Sequence, residues 1–227
     1  MKPRPVCPEC AAAPNGSCPV HHVTLRPKGS SPLVEREIVP GELVGDYRVE
    51  AKLGAGGFGT VYRAIHPLIG KRVAIKVLAR ELSDDEEMLS RFISEARVVN
   101  DIASAHIVDI FGYGALPDGR QYYVMELLAG ESLESCLERE GRLAFDEARP
   151  LLEGIARALD HAHARGVVHR DLKPDNVFLV PDHAGRQVAK LLDFGLAKLL
   201  GRANVRHQTR IGIAMGTPHY MSPEQCT

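Results

Sequence analysis

The glycine-rich segment at residues 54–59, with the sequence GAGGFG, is the feature that most constrains the fold of this chain. Before it, apolar residues occupy every second position from Tyr47 to Leu53, which is the period of a half-buried β-strand. After it, the run from Val61 to Ile65 is again β-type. The glycines therefore lie at a hairpin tip, whereas in a dinucleotide-binding unit they would open a helix. Such a tip can approach a phosphate chain and donate backbone N–H groups, although the motif in isolation also occurs in ordinary turns.

Bulk composition limits the classes of protein to which this chain can belong. Its 227 residues, 44% of them hydrophobic, can bury one sizeable core and a small appendage. The 28 basic and 29 acidic residues give a net charge of −1, so charge provides no reason to expect a nucleic acid or an anionic membrane as partner. Because the sequence shows neither a membrane-spanning apolar run nor a signal peptide after Met1, we expect a cytoplasmic location for these residues.

Hydrophobic patterning predicts further strands downstream of the glycine-rich hairpin. Residues 72–78 follow the second strand after a short connection, which predicts an antiparallel meander. Two more strands are expected at residues 107–113 and 121–125, around a turn at residues 117–119 with the sequence PDG.

Two helices are predicted from apolar residues at helical spacing. Residues 83–86 (SDDE) form a capping box, and the apolar stripe from Met88 to Ile102 predicts a helix of about five turns. A second buried helix is expected over residues 146–165. Its apolar positions are Ala148, Leu152, Ile155, Leu159 and Ala162. Five strands with one inserted helix, followed by a helical region, is an α+β arrangement.

Several charged and amide residues occupy positions that indicate ion pairing or metal binding. Glu95 falls on the apolar stripe of the first helix, where an unpaired carboxylate is costly, and Lys76 at the end of a strand could supply its partner. From these two residues alone, an equally good interpretation is a solvent-exposed Lys on an edge strand and a Glu at the margin of the apolar helix face. Residues 169–176 (HRDLKPDN) and 193–195 (DFG) lie at the ends of two predicted hairpin strands, and they place Asn and Asp side chains there, the oxygen ligands that Mg²⁺ prefers.

Together these motifs resemble the protein kinase family over residues 46–227, where they occur in the family's order and spacing. The resemblance rests on the glycine loop, VAIK at 73–76, HRDLKPDN at 169–176, DFG at 193–195 and SPE at 222–224. It implies a bilobal protein-kinase fold, with a five-stranded antiparallel N-lobe, an αC helix and a helical C-lobe present only in part. The sequence of residues 118–126 and 222–225 is similar to that of bacterial eukaryotic-like Ser/Thr kinases, which implies a role in bacterial signalling.

The resemblance also implies roles for individual residues in an ATP-dependent Ser/Thr protein kinase. Asp171 would orient the substrate hydroxyl and accept its proton, and Lys173 would steady the γ-phosphate. Lys76, paired with Glu95, would anchor the α- and β-phosphates.

A second group of implied residues would bind the nucleotide and its metal. Asn176 and Asp193 would hold Mg²⁺, with Mn²⁺ as an alternative. Met125 lies at the gatekeeper position, next to the hinge. The residues implied in ATP binding are Leu53, Gly54, Ala55, Gly56, Gly57, Phe58, Gly59, Val61, Ala74, Lys76, Met125, Glu126, Leu128 and Phe178. The implied partners are ATP and proteins with Ser or Thr hydroxyls, with self-association for autophosphorylation as a further expectation.

Three departures from the family pattern stand out. Ser222 replaces the commoner Ala, and Ser104-Ala105-His106 stands where His-Pro-Asn/His is usual; we expect neither to affect the chemistry. The third is that the sequence ends shortly after Glu224, so we expect the gene to continue for at least about 80 residues, in keeping with usual domain size. The sequence leaves open which residues come after Thr227 and whether they include a membrane anchor.

The N-terminal segment predicts a small metal-binding module. Cys7-Pro8-Glu9-Cys10 and Cys18-Pro19-Val20-His21 repeat one knuckle pattern, which can place three sulfurs and one imidazole around Zn²⁺. His22 is an equally near fourth ligand, and unliganded or redox-active cysteines are the alternative. The segment resembles the minimal zinc ribbons attached to some bacterial kinases.

The expected organisation is a zinc-ribbon-like module at residues 1–23, a linker at 24–42 and a kinase domain at 43–227, truncated after the activation segment. The alternative to an active Ser/Thr kinase is an inactive fragment or a pseudokinase-like scaffold. Catalysis is favoured because Lys76, Asp171, Asn176 and Asp193 are all present. A third interpretation treats the zinc module as the functional unit.

The zinc module generates a direct test. The segment from Cys7 to His22 has too few apolar residues to fold without a metal, so the purified chain should bind about one Zn²⁺. Elemental analysis measures this stoichiometry, and replacement of Cys7 and Cys10 by Ser should remove the metal. A metal-free protein in which Cys7, Cys10 and Cys18 react freely with thiol reagents would contradict the prediction.

Overall fold

The computed structural model describes residues 36–83, 89–90, 93–94, 97, 100–102, 104–194 and 218–225 of the chain. The described residues divide into two compact units, the first containing residues 36–83 and 110–127, the second containing those from 89 to 109 and from 128 onward. Each unit has its own core of buried apolar side chains. None of the helices among the described residues has the length and apolar character needed to span a bilayer.

The first unit is built on one antiparallel sheet. Its strands are β1 (Leu43–Val44), β2 (Tyr47–Gly56), β3 (Gly59–Ile65), β4 (Arg72–Leu78), β5 (Ile110–Ala115) and β6 (Gln121–Glu126). They lie in the order β1-β2-β3-β4-β6-β5, so the chain forms a meander through β4 and then adds β6 before β5. The predicted antiparallel meander is confirmed, with β3 and β4 in continuous register from Gly59↔Leu78 to Ile65↔Arg72.

The sheet has six strands instead of the five expected, because the two-residue β1 also pairs with β2. Ahead of β1, Gly41 donates to the Val49 carbonyl at 2.8 Å, and Val49 donates back to the Glu42 carbonyl at 2.8 Å. Ile38 is 8% exposed and belongs to the same apolar core. The segment before the strands therefore packs on this unit.

Ser83 does not begin a helix, as the predicted capping box at residues 83–86 requires. Ser83 instead ends a one-turn helix, α1 (Arg80–Ser83), that the sequence analysis missed. Its hydroxyl donates to the Ala79 carbonyl at 3.2 Å and accepts from the Gln121 amide at 3.0 Å. The remainder of the box lies outside the described residues, whereas positions 89, 90, 93, 94, 97 and 100 of the predicted long helix are helical.

The second unit combines two helices with a small sheet. Its elements are β7 (Glu131–Ser132), α2 (Leu133–Glu140), α3 (Phe145–His163), β8 (Val177–Pro181) and β9 (Gln187–Leu191). The strands lie in the order β7-β8-β9. The β8–β9 hairpin predicted from the apolar runs is confirmed, with Val177 opposite Leu191 and Pro181 opposite Gln187.

Two details of the sequence-based prediction were wrong. The strand expected from Ile107 begins only at Ile110, and Ile107 instead forms an isolated parallel bridge with Leu191. Leu152 was expected on the buried face of α3 but is 60% exposed, because Leu151 takes its place beside the correctly predicted Ile155 in the core. Glycine at position 154 also contributes to that buried face.

The packing of Tyr122 generates a test of the first unit's stability. A Cβ added at Gly114 would lie 2.5 Å from the Tyr122 hydroxyl, so Gly114→Ala should overpack the sheet and lower the free energy of unfolding by about 1–3 kcal/mol. At Gly112 on the same strand, an added Cβ would meet only Val124, at 4.0 Å. Chemical denaturation of both variants measures the difference, and equal losses for Gly112→Ala and Gly114→Ala would contradict the explanation.

Candidate active site

The glycine-rich hairpin of the first unit forms as predicted. Gly54 pairs with Val61 and Gly56 pairs with Gly59 across the β2–β3 turn. Gly59 has a φ of 139°, and an added Cβ would lie 2.0 Å from the Val77 carbonyl oxygen. The fold itself therefore requires glycine at position 59.

The other glycines of the hairpin are not explained by packing within the protein. A Cβ added at Gly54, Gly56 or Gly57 would meet no atom within 4 Å, and all three residues are exposed. Absent side chains at these positions leave the backbone open to close approach. This geometry fits the cradle that a phosphate chain requires.

Lys76 lies on β4, directly opposite Val61 on β3. It is 5% exposed, and its Nζ lies 5.7 Å from the centre of the Phe58 ring at the hairpin tip. The Phe58 carbonyl accepts a hydrogen bond from Ala79 at 3.1 Å, which attaches the tip to the end of β4. The lysine and the glycine hairpin are thus held together on one sheet.

The remaining predicted nucleotide residues of the first unit lie on the same sheet. Ala74 and Met125 are cross-strand partners and both are buried, at 5% and 8% exposure. Glu126 is opposite Val73, whereas Leu53 on β2 is half exposed. Because Ala74 and Lys76 are two residues apart on one strand, they share a face of the sheet.

In the second unit, the loop before β8 brings three predicted residues together. The Asn176 side-chain amide donates to the Asp171 carbonyl at 2.7 Å and to Asp171 Oδ2 at 2.9 Å. Lys173 Nζ lies 3.4 Å from the same Oδ2. Because its nitrogen is engaged twice by Asp171, the Asn176 amide presents its oxygen as the acceptor.

His169 anchors this loop to the end of β9. Its ring is 2% exposed, and Nε2 donates to the Leu192 carbonyl at 2.8 Å. On the other side of the ring, Nδ1 accepts from the Asp171 amide at 3.4 Å, which requires the neutral tautomer. Burial lowers the pKa of His169 below its usual value, an effect that the Leu192 carbonyl and nearby carboxylates only partly oppose.

Asp193 directly follows the fixed Leu192 peptide group. The Leu192 amide donates to the Asn176 carbonyl at 2.9 Å, so both sides of Leu192 are bound to the loop that carries Asp171. Asp193 has a φ of 56°, and Arg170 has a φ of 66°; among the described residues, no other non-glycine residue is left-handed. One strained residue therefore follows each partner of the hydrogen bond between His169 and Leu192.

The outcome for the other predicted site residues is mixed. Phe178 lies on β8 opposite Lys190, and Leu128 is half-buried in the second unit. Glu95 and the predicted zinc ligands Cys7, Cys10, Cys18 and His21 lie outside the described residues. Where the chain is described, no cluster of three or more His, Cys, Asp or Glu side chains could hold a metal.

Sequence reasoning missed two residues that shape the second unit's site. Phe194 packs on the His169 ring with the ring centres 4.6 Å apart, and the Leu192 carbonyl receives the histidine's hydrogen bond. A backbone carbonyl has no sequence signal. The sequence analysis named Phe194 only as the middle residue of the DFG motif and assigned it no contact.

Comparison with known proteins identifies relatives that match most of this chain. Residues 47–226 match the family described as "Protein kinase domain". Serine/threonine-protein kinase Pkn1 of Myxococcus xanthus is 44% identical over 196 residues, which cover 86% of this chain and 28% of that protein. Serine/threonine-protein kinase PknA of Mycobacterium tuberculosis is 43% identical over 187 residues, which cover 81% of this chain and 42% of that protein.

The fold is similar to solved structures as well. The crystal structure of the M. tuberculosis PknI kinase domain matches with a TM-score of 0.61 and 30% sequence identity. The match covers 70% of this chain and 62% of that one. The chain thus spans less than two thirds of the length of these relatives.

The buried histidine predicts a pH dependence. Because the pKa of His169 in the folded chain is below its ordinary value of 6.5, the unfolded chain takes up a proton below about pH 6.5 that the folded chain does not. The stability that neutral His169 contributes is thus fully present above that pH, and it is lost as the pH falls below it. His169→Gln keeps an N–H donor for Leu192 but cannot titrate, so its stability should fall less between about pH 7 and pH 5.

Urea denaturation at several pH values measures this difference, and His163→Gln on the exposed face of α3 is the control. An identical pH dependence in the wild-type chain and His169→Gln would contradict the assignment.

Proposed function

Because this chain belongs to the protein kinase family, which it matches over residues 47–226, we propose that it transfers the γ-phosphate of ATP to Ser and Thr hydroxyls of proteins. The predicted family and fold are confirmed, and its curated relatives are named serine/threonine-protein kinases. Since the chain spans only 28% and 42% of two of those relatives, activity, substrates and partners of the whole protein remain part of this proposal.

The observation that carries the proposal is the contact between Asp171, Lys173 and Asn176. Asp171 has a carboxylate oxygen within 3.4 Å of a lysine ammonium and 2.9 Å of an amide donor, so it is held in one orientation. A carboxylate held in this way can orient a substrate hydroxyl and accept its proton.

In the proposed reaction, the hydroxyl oxygen of the protein substrate attacks the γ-phosphorus of ATP. The bond from that phosphorus to the bridging oxygen breaks, ADP leaves, and the hydroxyl proton passes to Asp171. Lys173 stabilises the negative charge on the transferring phosphoryl group. Positioning and charge neutralisation supply most of the rate enhancement in this class of reaction.

For the nucleotide, we assign the phosphate chain to the glycine hairpin and Lys76. The open backbone at Gly54, Gly56 and Gly57 supports this assignment, as does the buried position of Lys76 beside the hairpin. Asn176 and Asp193 would hold Mg²⁺, or Mn²⁺ in its place, because both offer oxygen ligands. When bound, the metal neutralises charge on the phosphates.

Three finer expectations remain proposals. Zinc binding by Cys7, Cys10, Cys18 and His21 rests on ligand spacing, self-association for autophosphorylation rests on the resemblance, and a cytoplasmic location rests on the apolar pattern of the sequence.

The test of the proposed function is the transfer of labelled γ-phosphate from ATP to the chain itself and to a general protein substrate. Asp171→Asn keeps the shape of the side chain but cannot accept the proton, so the rate should fall by about 10²-fold to 10⁴-fold. Asp193→Ala should abolish transfer because it removes a metal ligand. Asp175→Asn changes an exposed acid on the same loop and should leave the rate unchanged.

Thermal unfolding of each variant shows whether the fold survives the substitution. Undiminished transfer by Asp171→Asn or Asp193→Ala would refute the assigned roles, and a wild-type chain that binds ATP without transferring phosphate would favour the scaffold alternative.

A further inference from the structure

The last two residues before Asp193 have all of their backbone polar groups bound. The Leu191 amide donates to the His106 carbonyl at 2.8 Å, and the Leu191 carbonyl accepts from Val108 at 3.0 Å. Leu192 is bound on both sides by the Asn176 carbonyl and the His169 ring. Two of these four hydrogen bonds come from residues 106–108, a segment that the proposed function does not use.

Residues 106–108 lie along β9 on the side away from β8. Besides the two backbone hydrogen bonds, Ile107 forms a parallel bridge with Leu191. His106 adds a side-chain contact, because its Nδ1 lies 2.9 Å from the Ala189 carbonyl oxygen. A carbonyl can only accept, so Nδ1 carries the proton and donates it. His106 thus holds β9 at two points, Ala189 and Leu191.

Helix α3 fixes the ring of His106 from its other side. A Cβ added at Gly154 would lie 2.6 Å from Cε1 and 2.7 Å from Nδ1 of His106, both closer than real Cβ contacts. Gly154 is buried in the middle of α3, where glycine costs helix stability relative to alanine. Glycine at this position therefore makes room for the His106 ring between α3 and β9.

From these contacts we infer that His106 is a positioning residue for Asp193, and that Gly154 is the glycine that permits it. His106 sets the position of β9 through Ala189 and Leu191, and β9 delivers Asp193 two residues later. This inference rests on the proposed function, since the role that it gives Asp193 is metal binding. It also revises the expectation that residues 104–106 have no effect on the chemistry.

The test compares His106→Ala, which removes the Nδ1 donor, with His106→Asn, which retains an N–H donor on Cγ. Phosphate-transfer rates are measured against Mg²⁺ concentration at saturating ATP. His106→Ala should raise the half-saturating Mg²⁺ concentration roughly 10-fold, the lower end of the range for losing groups that support metal ligands, with a smaller change in kcat. His106→Asn should stay near the wild-type value, as should the control His161→Ala on the exposed surface of α3.

Gly154→Ala provides a second, independent perturbation. Because the new methyl group would lie within 2.7 Å of the His106 ring, a purely structural role predicts lower thermal stability with unchanged metal dependence. We expect the half-saturating Mg²⁺ concentration to rise instead, because the new methyl group displaces the His106 ring. In the double variant His106→Ala/Gly154→Ala the two effects should not add, since the ring that Gly154 accommodates is gone.

The outcomes separate this inference from the proposed function. If the wild-type chain transfers phosphate and both His106→Ala and Gly154→Ala keep its Mg²⁺ dependence, the inference is overturned and the function stands. If the wild-type chain transfers no phosphate, hydrogen exchange at the Leu191 and Asp193 amides decides. Faster exchange in His106→Ala but not in His106→Asn supports positioning, and equal exchange overturns it. If His106→Ala does not fold, Gly154→Ala decides by the same measurements.

Discussion

The hydrogen bond from the buried His169 ring to the Leu192 carbonyl is the interaction on which the second unit's site depends. The donor ring is 2% exposed, and losing it would leave the Leu192 carbonyl without this hydrogen bond, at a cost of about 0.5–1.5 kcal/mol. The histidine must stay neutral to donate with one nitrogen and accept with the other. Burial ensures this by lowering its pKa.

Strain is stored on both sides of this hydrogen bond. Arg170 and Asp193 follow its two partners, and each adopts a left-handed backbone conformation that costs on the order of 1–3 kcal/mol for a side chain of this size. Such conformations persist only where the surrounding structure determines them from several directions. Here the Asn176 carbonyl, the His169 ring and the segment before β5 all bind the two residues that precede Asp193.

The parts of this architecture that the sequence predicted are those encoded by local periodicity or turn chemistry. Alternation over β2, the apolar run of β4 and the turn at residues 117–119 all carry their structure within a few residues. The features that were missed depend on distant partners. Ile107 is not in the expected strand because it forms a bridge with Leu191, more than 80 residues away in the sequence. The two-residue strand β1 is defined only by its pairing with β2. The candidate site shows the same division: sequence motifs identify Asp171 and Asn176, but not the Leu192 carbonyl or the ring of His106.

The packing of residues 36–44 separates the limits of a sequence family from the limits of a physical domain. The family match begins at residue 47, yet Ile38 and Val44 are 8% and 1% exposed in the core of the first unit. Arg120 donates to the Arg36 carbonyl at 2.7 Å, which ties that segment to the turn between β5 and β6. A recombinant protein that begins at Tyr47 would expose the apolar core residues that this segment covers, and the Arg120 guanidinium would lose one of its acceptors. If such a protein were obtained in low yield, the cause would be an incomplete hydrophobic core, and the result would say nothing about the catalytic residues.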